Sequence, residues 1–193
     1  METNLAYKFE EWREETIGGK VVMMATPGLN HSFIVGNIYN LFFNYLRGKR
    51  CTPFSDNTKL FLPDGEKYIP DVMVVCDPDK LKTNGVHGTP DLVVEVLSHS
   101  TAKNDKGRKR DVYEKNGVRE YWIVNPADRS LEQYVLEDGR FVLRDIYTQY
   151  SQKMLDDMEE DERPEVVTEF KCSLFDDLAI RLDDIFYRVI SNL

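Results

Sequence analysis

Two acidic residues interrupt an apolar segment of this chain. Residues 90–98 read PDLVVEVLS, so Asp91 and Glu95 stand among aliphatic side chains. Successive side chains of a strand point to opposite faces of a sheet, so the two acids share a face if this segment is a strand. An unpaired charge is costly to bury. Acids in such a strand therefore indicate ion pairing or metal binding.

A third acid, Asp71, stands in a second apolar segment, directly after Pro70 and before four apolar residues. If the two strands are neighbours, Asp71 and Glu95 together supply the hard oxygen ligands that Mg²⁺ and Mn²⁺ prefer. The competing interpretation is that these acids pair with basic residues or cap strand ends. That interpretation suits Asp91 best, because it follows Pro90 at a loop edge.

A basic segment follows the strand that carries Glu95. Residues 103–110 hold five basic residues and one acid, in a chain whose net charge is −9. Asp105, Lys109 and Tyr113 recur every four residues and would share one helical face. Lys109 could then reach the carboxylates, where a cation stabilises developing negative charge. The segment is otherwise a solvated helix face or a patch that contacts phosphates.

His31 falls in the first turn of an amphipathic helix predicted over residues 30–47, in which apolar residues recur at three- and four-residue spacing. Asn30 is the predicted N-cap, and Gly48 the predicted stop. A histidine in this position is more often a structural hydrogen-bonding residue than a catalytic one. Both roles stay open for His31.

The remaining patterns predict strands separated by turns. The predicted strands are residues 20–24, 59–62, 68–76, 92–97, 120–124, 131–136 and 140–143. Turn residues between the second and third strands, and Asp138-Gly139 between the last two, predict two hairpins. Residues 92–124 predict two parallel strands joined by a helix that Ser100 or Thr101 caps. Helices are predicted around Phe9 and over residues 174–189, and loops over residues 77–90 and 156–165.

Length and composition favour one soluble domain over residues 1–193, with 41% hydrophobic and 31% charged residues. No apolar run approaches the ~18 residues that span a membrane, and the first residues are too polar for a secretory signal. The three cysteines are an odd number without a CxxC pair. They argue against a disulfide framework or a cysteine zinc site and favour a reducing cytoplasm.

Taken together, these motifs resemble the Uma-type restriction endonuclease family, a branch of the PD-(D/E)XK nuclease superfamily. The resemblance rests on Ile69-Pro70-Asp71-Val72, on PDLVVEVLS at residues 90–98 and on GVREYWIV at residues 117–124. It implies an α/β (mixed α+β) fold with a central mixed sheet flanked by helices. It also implies a DNA endonuclease, a phosphodiester hydrolase in which Asp71 and Glu95 hold Mg²⁺ or Mn²⁺ and carry the catalysis.

The chain departs from the superfamily pattern at one residue. The usual lysine stands two positions after the acid of the strand, but Leu97 occupies that position here. Lys109 is the predicted substitute and the third catalytic residue. Asp91, His31, Asp105 and Tyr113 are secondary candidates.

Two other functions remain open. The missing lysine and the acidic net charge favour a catalytically silent nuclease-like fold that binds DNA or a protein. An exposed edge in the predicted hairpin at residues 131–143 could instead pair between two copies and form a homodimer. The sequence contains no evident target-recognition domain, so site-specific restriction has no support in it.

Overall fold

The computed structural model describes residues 14–23, 26–98, 102 and 105–190. The predicted helix around Phe9 and the predicted caps Ser100 and Thr101 lie outside these residues. The described strands are β1 (Glu14–Ile17), β2 (Lys20–Met23), β3 (Thr52–Ser55), β4 (Leu60–Phe61), β5 (Lys67–Tyr68), β6 (Val72–Val75), β7 (Leu81–Lys82), β8 (Gly85–His87), β9 (Leu92–Val96), β10 (Glu120–Asn125), β11 (Ser130–Glu137), β12 (Arg140–Thr148), β13 (Glu169–Lys171) and β14 (Ala179–Arg181). The α-helices are α1 (Leu29–Leu46), α2 (Arg110–Lys115), α3 (Gln152–Asp156) and α4 (Leu182–Ile185), with a π-helical turn at Asp105–Lys109 and 3₁₀ turns at Pro78–Lys80 and Glu160–Glu162.

A six-stranded central sheet forms the middle of the fold, in the order β12-β11-β10-β9-β6-β3. Strands β9 and β10 are parallel, and the other neighbouring pairs are antiparallel. The π-helical turn and α2 connect the parallel pair, as a crossover connection requires. The predicted mixed sheet is therefore confirmed. So is the hairpin at Asp138-Gly139, which joins β11 to β12.

Different layers cover the two faces of the central sheet. Helix α1 packs on one face through a buried stripe that includes Ile34, Ile38 and Phe42. The other face carries a second buried cluster, to which β4, β5 and β8 of a second six-stranded sheet contribute. Because β9 and β10 are covered on both faces, their side chains are almost all buried, as expected for strands in this position.

The predicted strand at residues 68–76 is wrong as one element. The chain forms β5 and β6 there, in different sheets, with residues 69–71 as the crossover between them. The predicted hairpin survives, because β4 pairs with β5. Pro70 lies between the two strands, where its lack of an N–H group removes no hydrogen bond from either sheet.

Three other local predictions need correction. Residues 174–189 contain β14 and only the short helix α4, and residues 77–90 contain the short strands β7 and β8. The N-cap of α1 is Gly28 rather than Asn30. The Asn30 side chain instead exchanges two hydrogen bonds with the backbone of Ile190, so a tertiary contact takes the group that a local cap would have used.

The cysteine prediction also fails in part. Cys51 and Cys76 form a disulfide between the ends of β3 and β6, and Cys172 is a buried free thiol. The pairing follows from register, because Thr52 lies opposite Val75 and brings the next two residues together. No helix in the described part of the chain is long and apolar enough to cross a membrane.

Candidate active site

Asp71 and Glu95 face each other across neighbouring strands. Val72 pairs with Val94 in the antiparallel β6–β9 ladder, so the next residues in register are Asp71 and Glu95. The backbone N–H of Val96 donates to Asp71 Oδ2 at 2.7 Å, which fixes that carboxylate beside β9. Both acids are buried. The expected neighbouring strands are therefore present, and they bring the two acids together.

His31 contacts the second oxygen of Asp71. Its Nε2 atom lies 3.1 Å from Asp71 Oδ1, and the histidine side chain is 12% exposed. Its Nδ1 atom is buried and has no hydrogen-bond partner among the described residues. The first turn of α1 thus brings His31 to the acid pair.

Lys109 reaches Glu95 from the crossover between β9 and β10. Its ammonium Nζ lies 3.2 Å from Glu95 Oε1, and the Tyr113 hydroxyl donates to the same oxygen at 2.8 Å. Leu97, which occupies the usual lysine position, is an apolar residue of the second cluster. A lysine from the helical crossover therefore lies beside the acid of the strand.

Glu15 is a member of the site that the sequence analysis missed. Its Oε1 atom lies 2.9 Å from Lys109 Nζ and also accepts the Ile69 N–H at 2.9 Å. The signal was weak, because Glu15 is one acid in the acidic stretch EEWREET. Within β1, however, Glu15 and Ile17 alternate inward, so a strand prediction for residues 14–17 would have pointed this acid toward the core.

The π-helical turn at Asp105–Lys109 determines which way each side chain of the basic segment points. Lys109 is buried and lies 3.5 Å from Asp105 Oδ1, while the Tyr121 hydroxyl donates to the Asp105 carbonyl. Lys106 and Arg108 point outward and pair with acids of other elements. Turns of this type are rare and are often found at functional sites. Asp105, Lys109 and Tyr113 therefore do reach one cluster, although the local helix differs from the predicted α-helix.

Burial and charge together determine the protonation of the cluster. Burial raises the pKa of Glu95 well above its usual value; Lys109 opposes this shift, and the acids Asp105, Asp71 and Glu15 add to it. Burial by itself would lower the pKa of Lys109, but the carboxylates of Glu95, Glu15 and Asp105 outweigh burial and raise it. Lys109 is therefore an ammonium ion, and this makes it a source of positive charge rather than a general base.

Asp91 lies at the other end of β9 from this cluster. Its Oδ2 atom accepts the Cys76 N–H at 2.7 Å, and its Oδ1 atom lies 3.6 Å from Arg119. Asp91 directly precedes β9, whereas Glu95 lies within it, and the two acids of the opening motif have different surroundings. Asp91 caps the end of β6, as the competing interpretation expected.

The donor set fits one mode of magnesium binding. No group of three or more His, Cys, Asp or Glu side chains in the described ranges is arranged to hold a metal ion. Mg²⁺, however, is commonly bound through one or two carboxylates, with water and phosphate oxygens completing its shell. Asp71 and Glu95 supply two such carboxylates. Glu15 and Asp105 add negative charge nearby, which the ammonium of Lys109 balances only in part.

Comparison with known proteins gives similarities of three kinds. A family model described as "Uma2: Putative restriction endonuclease" matches residues 1–168. Two uncharacterized proteins of Synechocystis sp. are similar: slr1290 is 32% identical over 68% of this chain and 73% of its own length, and sll1609 is 28% identical over 63% and 71%. A crystal structure titled "a putative nuclease belonging to DUF820", from Anabaena variabilis, has a TM-score of 0.69 at 15% identity and covers 92% of this chain and 91% of that one. The chain shares the fold of that structure.

Proposed function

Because this chain belongs to the Uma2 family of restriction-endonuclease-like nucleases, we propose that it is a divalent-metal-dependent endonuclease that hydrolyses phosphodiester bonds in DNA. One observation carries the proposal: two buried acids face each other on neighbouring strands, and a buried lysine contacts one of them. The family supplies the nuclease class. DNA as substrate and the metal requirement belong to the proposal.

Asp71 and Glu95 are the residues that would hold Mg²⁺ or Mn²⁺. When bound, such an ion would polarise a phosphoryl oxygen and lower the pKa of a coordinated water. The hydrogen bond from Val96 holds Asp71 in place, and the Tyr113 hydroxyl holds Glu95. His31 orients the remaining oxygen of Asp71. Each carboxylate therefore enters the reaction with its orientation already fixed.

Lys109 would act through its charge. As an ammonium ion it cannot accept the proton of the attacking water, but it can stabilise negative charge that develops on the phosphate. Glu15 and Asp105 contact the ammonium group and orient it. These two acids are positioning residues, because they act through Lys109.

Two features of the sequence favour the alternative of a silent fold: the leucine at position 97 and the acidic net charge. The amine of Lys109, which lies beside Glu95, weighs against the first. A catalytically silent protein that binds DNA or another protein remains the second candidate, because the net charge of −9 is unusual for a DNA-binding protein.

We further propose that residues 1–193 form one restriction-endonuclease-like domain that functions in the cytoplasm. The matched nuclease structure, which covers 92% of the chain, supports the single domain. A reducing cytoplasm would open the Cys51–Cys76 disulfide to a neighbouring pair of thiols. A homodimer through the edge strand β12 is a further proposal, since Val142, Leu143 and Ile146 are exposed there.

A cleavage panel tests the proposed function. Supercoiled, linear, single-stranded and branched DNA, and an RNA of the same sequence, are each incubated with Mg²⁺, Mn²⁺ or EDTA. We expect cleavage of at least one DNA substrate with a metal ion and none with EDTA. Equal cleavage by the parent and by Asp71→Asn would overturn the site assignment, and no cleavage of any substrate would favour the silent fold.

A further inference from the structure

Three cations of the basic segment that the structure describes are paired with acids of the protein. Lys106 pairs with Glu132, Arg108 pairs with Glu66, and Lys109 is buried among acids. These cations are neutralised within the protein. In a chain of net charge −9, phosphate contacts would draw on cations elsewhere as well.

Two such cations flank a cleft of about 530 Å³ beside the central sheet. One wall contains Asn57, Thr58 and Lys59, which follow β3. The other contains Lys82, the last residue of β7, and the turn residues Thr83 and Asn84 that precede β8. Both lysines are exposed. Neither makes an ion pair with another residue that the structure describes. The cleft thus combines two available ammonium groups with amide and hydroxyl groups.

The two walls are joined through backbone contacts. The Val86 N–H donates to the Lys59 carbonyl at 2.8 Å. Gly85 has φ +140°, and a Cβ atom at this position would lie 2.3 Å from the same carbonyl oxygen. Only glycine permits this approach. The spacing of the two lysine-bearing segments is therefore determined by the backbone, and the cleft exists without a ligand.

The cleft lies next to the acid pair. The chain crosses from one sheet to the other twice nearby: residues 56–59 join β3 to β4, and residues 69–71 join β5 to β6. Strands β3 and β6 are neighbours in the central sheet, and β4 and β5 are neighbours in the second sheet. The first crossover carries Lys59 and the second carries Asp71. Ser55 pairs with Val72, so the two crossovers leave the central sheet side by side. Strand spacing and residue rise put Lys59 within about 15 Å of Asp71.

The cleft and the acids also share a face of the central sheet. Phe54, which lines the cleft, packs against the cluster that contains Val93 and Leu97. Glu95 lies between those two residues in β9 and therefore points to the same side. A single DNA strand advances about 3.4 Å per phosphate, so 15 Å corresponds to four or five nucleotides. One strand could contact both sites.

We propose that the cleft formed by residues 57–59 and 82–84 binds the phosphodiester backbone of the DNA substrate beside the scissile phosphate. This inference rests on the proposed function and names the surface that holds the substrate. Lysine contacts phosphate as a point charge, and asparagine and threonine donate hydrogen bonds to phosphate oxygens. Contacts to phosphate oxygens carry no sequence information directly, so we expect binding there to be independent of base sequence.

Salt-dependent binding tests the cleft separately from catalysis. Fluorescence anisotropy with a short labelled duplex in EDTA compares the parent with Lys59→Ala/Lys82→Ala. Each lost phosphate contact removes about one unit from the slope of log K against log salt concentration, so we expect the slope to fall by about two. We also expect affinity at low salt to fall by at least about tenfold. The Lys153→Ala/Lys171→Ala variant has the same change in charge at exposed positions outside the cleft and should bind as the parent does.

The outcomes distinguish the two proposals. A double variant of the cleft lysines that binds with the parent's slope and affinity overturns the cleft, whether or not the parent cuts DNA. Failure of the parent to bind the duplex overturns it as well. If binding depends on the two lysines but no substrate is cleaved with any metal, the cleft stands and the proposed nuclease activity fails. Thermal melting of each variant confirms that the fold is retained.

Discussion

The ammonium group of Lys109 lies 3.2 Å from the carboxylate of Glu95, although the two residues are 14 positions apart in the sequence. In the usual motif the lysine stands two positions after the acid, on the same strand. Here the strand position holds Leu97, and the π-helical turn returns a different lysine to the same carboxylate. The lysine that contacts this acid therefore comes from the crossover and not from the strand itself.

Loss of either facing acid should abolish cleavage without unfolding the protein. Asp71→Asn and Glu95→Gln keep the side-chain shape but remove the charge that would hold a metal ion, so we expect metal-dependent cleavage to fall by at least about 100-fold. Asp91→Asn is the matched control, because Asp91 lies at the other end of β9. It should cleave as the parent does. Loss of activity in the control alone would reverse the assignment of the two acids.

Lys109→Met should reduce both stability and cleavage. The lysine is 1% exposed and contacts three carboxylates, and removing one partner of a buried ion pair costs about 3–5 kcal/mol. Urea unfolding measures this loss. Lys106→Met, in the same turn, removes a half-exposed ion pair with Glu132 and should cost about 1 kcal/mol or less. Equal losses in the two variants would argue against a buried charge cluster.

Glu15→Gln tests the residue that the sequence analysis missed. Glutamine can still accept the Ile69 N–H but no longer attracts the Lys109 ammonium. We expect kcat for cleavage to fall by about 10–100-fold with little change in KM, as for other groups that orient an active-site residue. Glu14→Gln, on the exposed side of the same strand, is the control. If Glu14→Gln changed kcat and KM as much as Glu15→Gln does, the effect would come from the lost negative charge in general and not from the contact with Lys109.

Glu120 is a buried acid with a structural role, and its removal should affect stability alone. On the face away from Glu95, its carboxylate accepts hydrogen bonds from Trp122, Gln133 and Ser173. Glu120→Ala leaves these buried donors without a partner and should cost about 2–4 kcal/mol. Cleavage per folded molecule, measured well below the melting temperature, should match the parent. A folded Glu120→Ala protein without activity would contradict this division of roles.

The disulfide predicts a difference between oxidised and reduced protein. Its cysteines are 25 residues apart, and closing a loop of this size stabilises the folded protein by about 3 kcal/mol relative to the reduced form. Thiol titration in denaturant should find one thiol in the oxidised protein and three after reduction. Cys51→Ser should have the stability of the reduced parent under both conditions. Three titratable thiols in protein purified under air would argue against the pairing.

The sequence determined the elements whose signals are local. Alternation and turn residues predict the hairpin of β11 and β12, and aliphatic runs predict β9 and β10, because side-chain pattern and turn chemistry act over a few residues. Acids within aliphatic runs were enough to single out Asp71 and Glu95. The prediction failed at residues 68–76, where one apolar run contributes a strand to each of two sheets. The hydrophobic pattern of a segment does not specify which sheet the segment joins.

Only the tertiary structure decided which of these residues meet. The register of β6 against β9 puts Asp71 opposite Glu95 and leaves Asp91 at the far end of the strand. In the folded protein the side chain of Lys109 is buried while that of Lys106 is exposed. Glu15, which is distant in the sequence, contacts the ammonium group of Lys109. Such contacts join residues that are distant in sequence, and their energies depend on desolvation by neighbours that no local pattern specifies. The sequence therefore named the two acids, and the fold decided which cation contacts Glu95.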